Sequence, residues 1–202
     1  MMNSNQNFIE TFTQVLKEFD KVLDEVPEGG LDWVESEGEW SIRQVIHHVA
    51  EDCNVYAFII ERALALPGSK VILGEFPGNN AWADSLGFGN RPIDTAIQLM
   101  HVHRKFLAEL VAFFPDRWEN TVRFADEEGQ QLATRSVKAM MIMLTEHMHE
   151  HAIMIQNILD ANVDLTLISD VKTDNLILLW CYCVLGIIEI IMTYIIYIIL
   201  IK

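Results

Sequence analysis

Apolar residues recur at spacings of three and four through four long stretches of the chain, and each stretch is expected to be an amphipathic helix. In the first, Phe8, Phe12, Val15, Phe19 and Val22 mark one face of a helix running from about Asn5 to Glu25, stopped by Pro27, Gly29 and Gly30. The second carries Ile42, Val45, Val49, Tyr56 and Ile60. Ser41 suits its N-cap, Gln44 the reciprocal position of a capping box, and Trp40 the packing at its start, while Pro67 and Gly68 end it. A Gly-rich connection from Ser69 to Arg91, holding Phe76, Trp82 and Phe88, is long enough to cover a site. The third helix follows with Ile93, Ile97, Met100, Leu107, Leu110 and Phe114. Between Trp118 and Thr134 the period changes, since TVRF alternates and ADEEGQQ is rich in turn formers, so a short hairpin or extended excursion is expected there. A fourth helix starts near Ser136. The pattern therefore predicts an all-α four-helix bundle with a short hairpin before the last helix.

The C-terminal stretch breaks this pattern. From Leu176 to Ile201 the run LILLWCYCVLGIIEIIMTYIIYIILI carries one charge, Glu189, and exceeds the roughly 20 residues that cross a bilayer. Read literally it is a hydrophobic C-terminal transmembrane helix. A buried or oligomerising helix and a non-native extension, such as read-through past a disrupted end, are the competing readings. Only Lys172 and Lys202 flank the run, which leaves its orientation open. The expected division is a bundle over 1–163, a polar linker over 164–175 and the tail over 176–202. The N-terminus, MMNSNQNF, lacks the basic segment and apolar run of a secretory signal.

Charge and cysteine content narrow the partners. With 29 acidic against 14 basic residues the formal net charge is −15. That argues against nucleic acid, whose phosphates are met by clustered Lys and Arg. The cysteines are Cys53, Cys181 and Cys183, neither an even extracellular framework nor a CxxC pair, so a reducing, cytoplasmic setting is expected. No phosphate loop, dinucleotide fingerprint or nucleophile elbow is present.

The candidate chemistry lies in histidines. Side chains four apart on a helix share a face. Measured from Leu144, His151 falls nearly in line with Met148, Ile155 and Ile158, His147 lies at the edge of that stripe, and His149 points elsewhere. On the second helix His48 borders the buried stripe, and His47 falls near the opposite side. His103 borders the buried stripe of the third. Neutral imidazole is a common ligand of divalent transition metals, and a three-histidine site can leave a position for water or another nucleophile. An HxxxH pair alone is weak evidence, but an inward His48 from another helix strengthens it, because buried polar groups need partners. Glu51 and Asp52, about one turn after His48, could orient a ligand imidazole, although a solvated helix face is the simpler reading of each. The same holds for Glu146 and Glu150, and Met140, Met141 and Met143 read as core. Cys53, one and a half turns beyond His48, should diverge from the site.

The segments WSIRQVIHHVAEDCNVY, NNAWADSL, HVHRKFL and LTEHMHEHAIMI together resemble the DinB-like superfamily, most closely its YfiT-type branch, over roughly Phe8 to Leu159. The resemblance implies a four-helix bundle holding a zinc or nickel ion. It assigns His48, eight residues after Trp40, as a metal ligand together with His147 and His151. Members are described as metal-dependent hydrolases, or transfer low-molecular-weight thiols such as bacillithiol, glutathione or mycothiol to electrophiles, or isomerise a thiol adduct. They end shortly after the fourth helix, so the tail lies outside the resemblance. The function expected is a metal-dependent enzyme acting on a small-molecule electrophile with a thiol, or with water, as nucleophile. Glu51, Asp52 and His103 are candidates for a supporting shell, and a homodimer is compatible with a bundle of this size. The alternative is a non-catalytic metal-binding or stress-response bundle, membrane-tethered if the tail inserts; a structural site would be closed by a fourth protein ligand.

Overall fold

The computed structural model describes residues 4–72 and 80–162. Residues 1–159 make one compact unit and the chain from Asp160 a second. The linker and hydrophobic tail expected over 164–202 lie outside the described residues. Among the described residues no helix is long and apolar enough to cross a membrane.

Four long helices form the body, as the periodicity requires: α1 (Ser4–Asp24), α2 (Ile42–Ala65), α4 (Asp94–Phe113) and α5 (137–162). A short helix, α3 (Asn80–Ser85), stands in the connection before α4. The start of α2 is fixed by its capping box. The Gln44 amide donates to Ser41 Oγ at 3.4 Å, and the Ser41 amide donates to Gln44 Oε1 at 2.9 Å, satisfying two helix-end donors. At the start of α5, Ser136 Oγ accepts the Ala139 amide at 3.2 Å.

The expected hairpin is present as β2 (Thr121–Ala125) antiparallel to β3 (Gln131–Ser136). A third strand, β1 (Ser69–Ile72), pairs parallel to β2, Ser69 opposite Val122, giving the order β1-β2-β3. This strand occupies the beginning of what the sequence reads as loop. The turn that delivers it rests on Gly68 at φ 74°, open to glycine without strain, whose amide donates to Thr121 O at 2.7 Å.

The core divides into two regions. One lies toward the sheet and contains Phe12, Ile59, Ile60, Leu107, Trp118, Met140 and Met141; the other surrounds the first turns of α2 and contains Phe19, Ile42, Ile46, Met100, Met148 and Ile155. Arg104 on α4 is only 1% exposed and sits over the Phe12 ring, its guanidinium carbon 4.4 Å from the centroid. It donates to Phe12 O on α1 at 2.8 Å and to Leu144 O on α5 at 2.5 Å, so one buried cation ties three helices.

Candidate metal centre

The capping box starts α2 at Ile42 and thereby sets the direction of His48 two turns later, while the HxxxH spacing puts His147 and His151 on one face of α5. Their side chains meet. His48 Nε2 lies 3.0 Å from His147 Nε2, which lies 3.2 Å from His151 Nε2, and the three donor atoms all fall within 4.8 Å of one another. The rings are nearly perpendicular, with centroids 4.4–5.1 Å apart. Trp40 sets its ring edge-on to His48 at 5.0 Å, and its indole N–H is held by Asn80 Oδ1 at 2.6 Å, so α3 secures one wall of the site.

The arrangement suits a divalent cation. A ring nitrogen carries either one proton or one lone pair, so His147 Nε2 can satisfy only one of the groups around it. A cation shared by the three lone pairs satisfies all of them. Metal–nitrogen bonds of roughly 2.0–2.1 Å at tetrahedral angles would set the nitrogens about 3.3 Å apart, close to the two separations above. Burial also favours the neutral form, the one that ligates, in two of the rings, His48 and His151. His151 is pushed down to about 3 by desolvation, with repulsion from His147 and His48 adding to it. His48 is lowered by desolvation as well, against the opposing pull of Asp52. Nδ1 of His48 and of His151 is buried without a hydrogen-bond partner among the described residues.

Asp52 departs from the solvated-face reading. It is 4% exposed, and its Oδ2 stands 2.6 Å from His147 Nε2 and 3.5 Å from His48 Nε2. His47 also departs: instead of facing outward it is buried, 5.5 Å from the Phe88 ring, with Nε2 3.3 Å from Arg91 O. The segment that carries α3 covers that side of α2, which periodicity along α2 alone does not reveal. Glu51 is half-buried, and His103 sets Nδ1 3.3 Å from Cys53 O; neither joins the histidine cluster. Glu146 and Glu150 are exposed, and His149 turns away to pair with Glu18 at 3.3 Å. Cys53 is buried against Arg104, its thiol pushed up by desolvation. A groove of about 720 Å³ between α1 and α5, lined by Glu10, Glu18, Thr145, Glu146 and His149 among others, does not include the three histidines. A smaller hollow of about 240 Å³ adjoins the site at Trp40, with Glu35, Glu39, Met154 and Ile158.

Residues 11–155 match the sequence model of the DinB superfamily. The chain belongs to the DinB superfamily. Two solved structures share its fold. YfiT from Bacillus subtilis, described as a probable metal-dependent hydrolase with an unusual four-helix bundle topology, aligns with a TM-score of 0.65 over 78% of this chain and 88% of its own, at 14% identity. The mycothiol-dependent maleylpyruvate isomerase aligns at 0.52 over 76% of this chain and 61% of its own, also at 14% identity. At that identity the likeness is one of fold. No curated protein matches the sequence significantly. Within this fold, the histidine cluster is a group that could hold a metal ion.

Proposed function

We propose that this DinB-superfamily protein is a metal-dependent enzyme in which His48, His147 and His151 hold a zinc or nickel ion and a low-molecular-weight thiol or water serves as nucleophile, thiol transfer being the first choice. The observation that supports it is the convergence of three Nε2 atoms from α2 and α5. When bound, the ion would act as a Lewis acid that gives thiolate or hydroxide near neutral pH.

The chain's own contribution is to hold and shield. His48 and His151 stay unprotonated because they are buried, and the HxxxH turn fixes the spacing of two donors. Trp40, anchored through Asn80, keeps water from one side of His48. The co-substrate in this reading is a small electrophile. The test is a pair of assays, transfer of a low-molecular-weight thiol to a model electrophile and hydrolysis of model esters and amides, run on zinc- and nickel-loaded wild type and on His48→Ala. Turnover that requires metal and disappears in the variant supports the proposal; turnover that survives loss of the metal overturns it.

A further inference from the structure

We propose that Asp52 belongs to the metal centre as its counter-charge, making it a site of three neutral imidazoles and one carboxylate. This rests on reading the three histidines as metal ligands and extends that reading to the charge of the site. Asp52 is four residues after His48, so it stands on the same face of α2 one turn further on. Its Oδ2 lies 2.6 Å from one donor nitrogen and 3.5 Å from another, inside the field of any cation those nitrogens share. The other oxygen, Oδ1, is buried with no hydrogen-bond partner among the described residues.

The surroundings explain why a carboxylate would be kept there. An ionised carboxylate removed from water needs a positive partner. The contacts of this one are to two of the proposed ligands, His48 and His147, and to no Lys or Arg among the described residues. The nearest buried guanidinium, Arg104, is engaged with Phe12 O and Leu144 O and lies against Cys53. A divalent cation on the histidines supplies the missing charge. The carboxylate in turn lowers the net charge of the loaded site from +2 to +1. Three imidazole donors beside this counter-charge favour a borderline divalent ion such as zinc, cobalt or nickel over a soft monovalent one, and leave the fourth position open.

The test is cobalt(II) affinity of the full-length protein, measured by competition with a chromophoric chelator, for wild type, Asp52→Asn, Asp52→Ser and His151→Ala, alongside thermal midpoints of the metal-free proteins. Asp52→Asn keeps the shape and removes the charge. It is expected to weaken cobalt binding at least tenfold, and loss of partners around a metal ligand typically costs 10–100-fold. The metal-free midpoints establish that each variant is folded before its affinity is read. Asp52→Ser is expected to weaken binding likewise. Affinity within twofold of wild type in both Asp52 variants, with binding lost in His151→Ala, would overturn the role of Asp52 and leave the histidine centre standing. A wild type that takes up no cobalt would overturn the histidine centre itself, and this proposal with it.

Discussion

His151 concentrates the electrostatic logic of the site in one ring. It sits one turn from His147 and against His48, so its proton is disfavoured first by burial and then by its two neighbours, and it titrates at about 3 rather than near 6.5. The consequence for stability has a definite sign. Between those values the unfolded chain takes up a proton that the folded protein refuses. The stability that His151 contributes is therefore fully present above pH 6.5 and lost as pH falls toward 3, by about 1.4 kcal/mol per pH unit across that window. His48, shifted in the same direction, adds to the loss. Urea titrations of metal-free protein at pH 7.5, 6 and 5 should show falling stability, and a His151→Phe variant should show a shallower fall; identical slopes would contradict the assignment. Arg104 belongs to the same scale. Truncating a fully buried side chain that ties three helices should cost about 3 kcal/mol or more, so Arg104→Ala should lower the denaturation midpoint markedly. Much at this scale could be read from sequence alone: the inward direction of His48, the outward direction of His149 and the burial of Met140 and Met141 all follow from helical phase. Asp52 and His47 could not, because each is buried by an element remote in sequence, α5 for the one and the Phe88 segment for the other.

The α2 helix shows how a local signal fixes a distant contact. Its capping box is spelled out by Ser41 and Gln44, and the structure contains both reciprocal hydrogen bonds. Ser41→Ala should destabilise the protein by about 1 kcal/mol in thermal or chemical denaturation. The hairpin was equally legible, since alternation and turn residues both lie within a short window. The strand β1 was not. SKVI is only a brief run, and what makes it a strand is parallel pairing with β2 some fifty residues later, a partner that no local pattern names. The short helix α3 escaped for a related reason, being too brief for its period to register. Yet α3 matters to the site through Asn80, whose carbonyl oxygen holds the Trp40 indole against His48.

The described body is a DinB-superfamily bundle with its sheet packed at one end of the core and its histidines at the other. A binding site assembled from α2 and α5 couples metal to global stability, because the unfolded chain cannot offer the same three donors together. Free metal at a hundred times Kd should therefore raise stability by about 2.7 kcal/mol, seen as a higher thermal midpoint that a chelator reverses. The central claim is that His48, His147 and His151 form one metal site, and the most direct measurement is metal content by elemental mass spectrometry on untagged protein beside His48→Ala and His151→Ala. Near-stoichiometric zinc or nickel in the wild type, absent from both variants while their helical content persists, is the expected result. A folded, metal-free wild type that cannot be reloaded with zinc or nickel would contradict the claim and leave the three histidines as residues of the core.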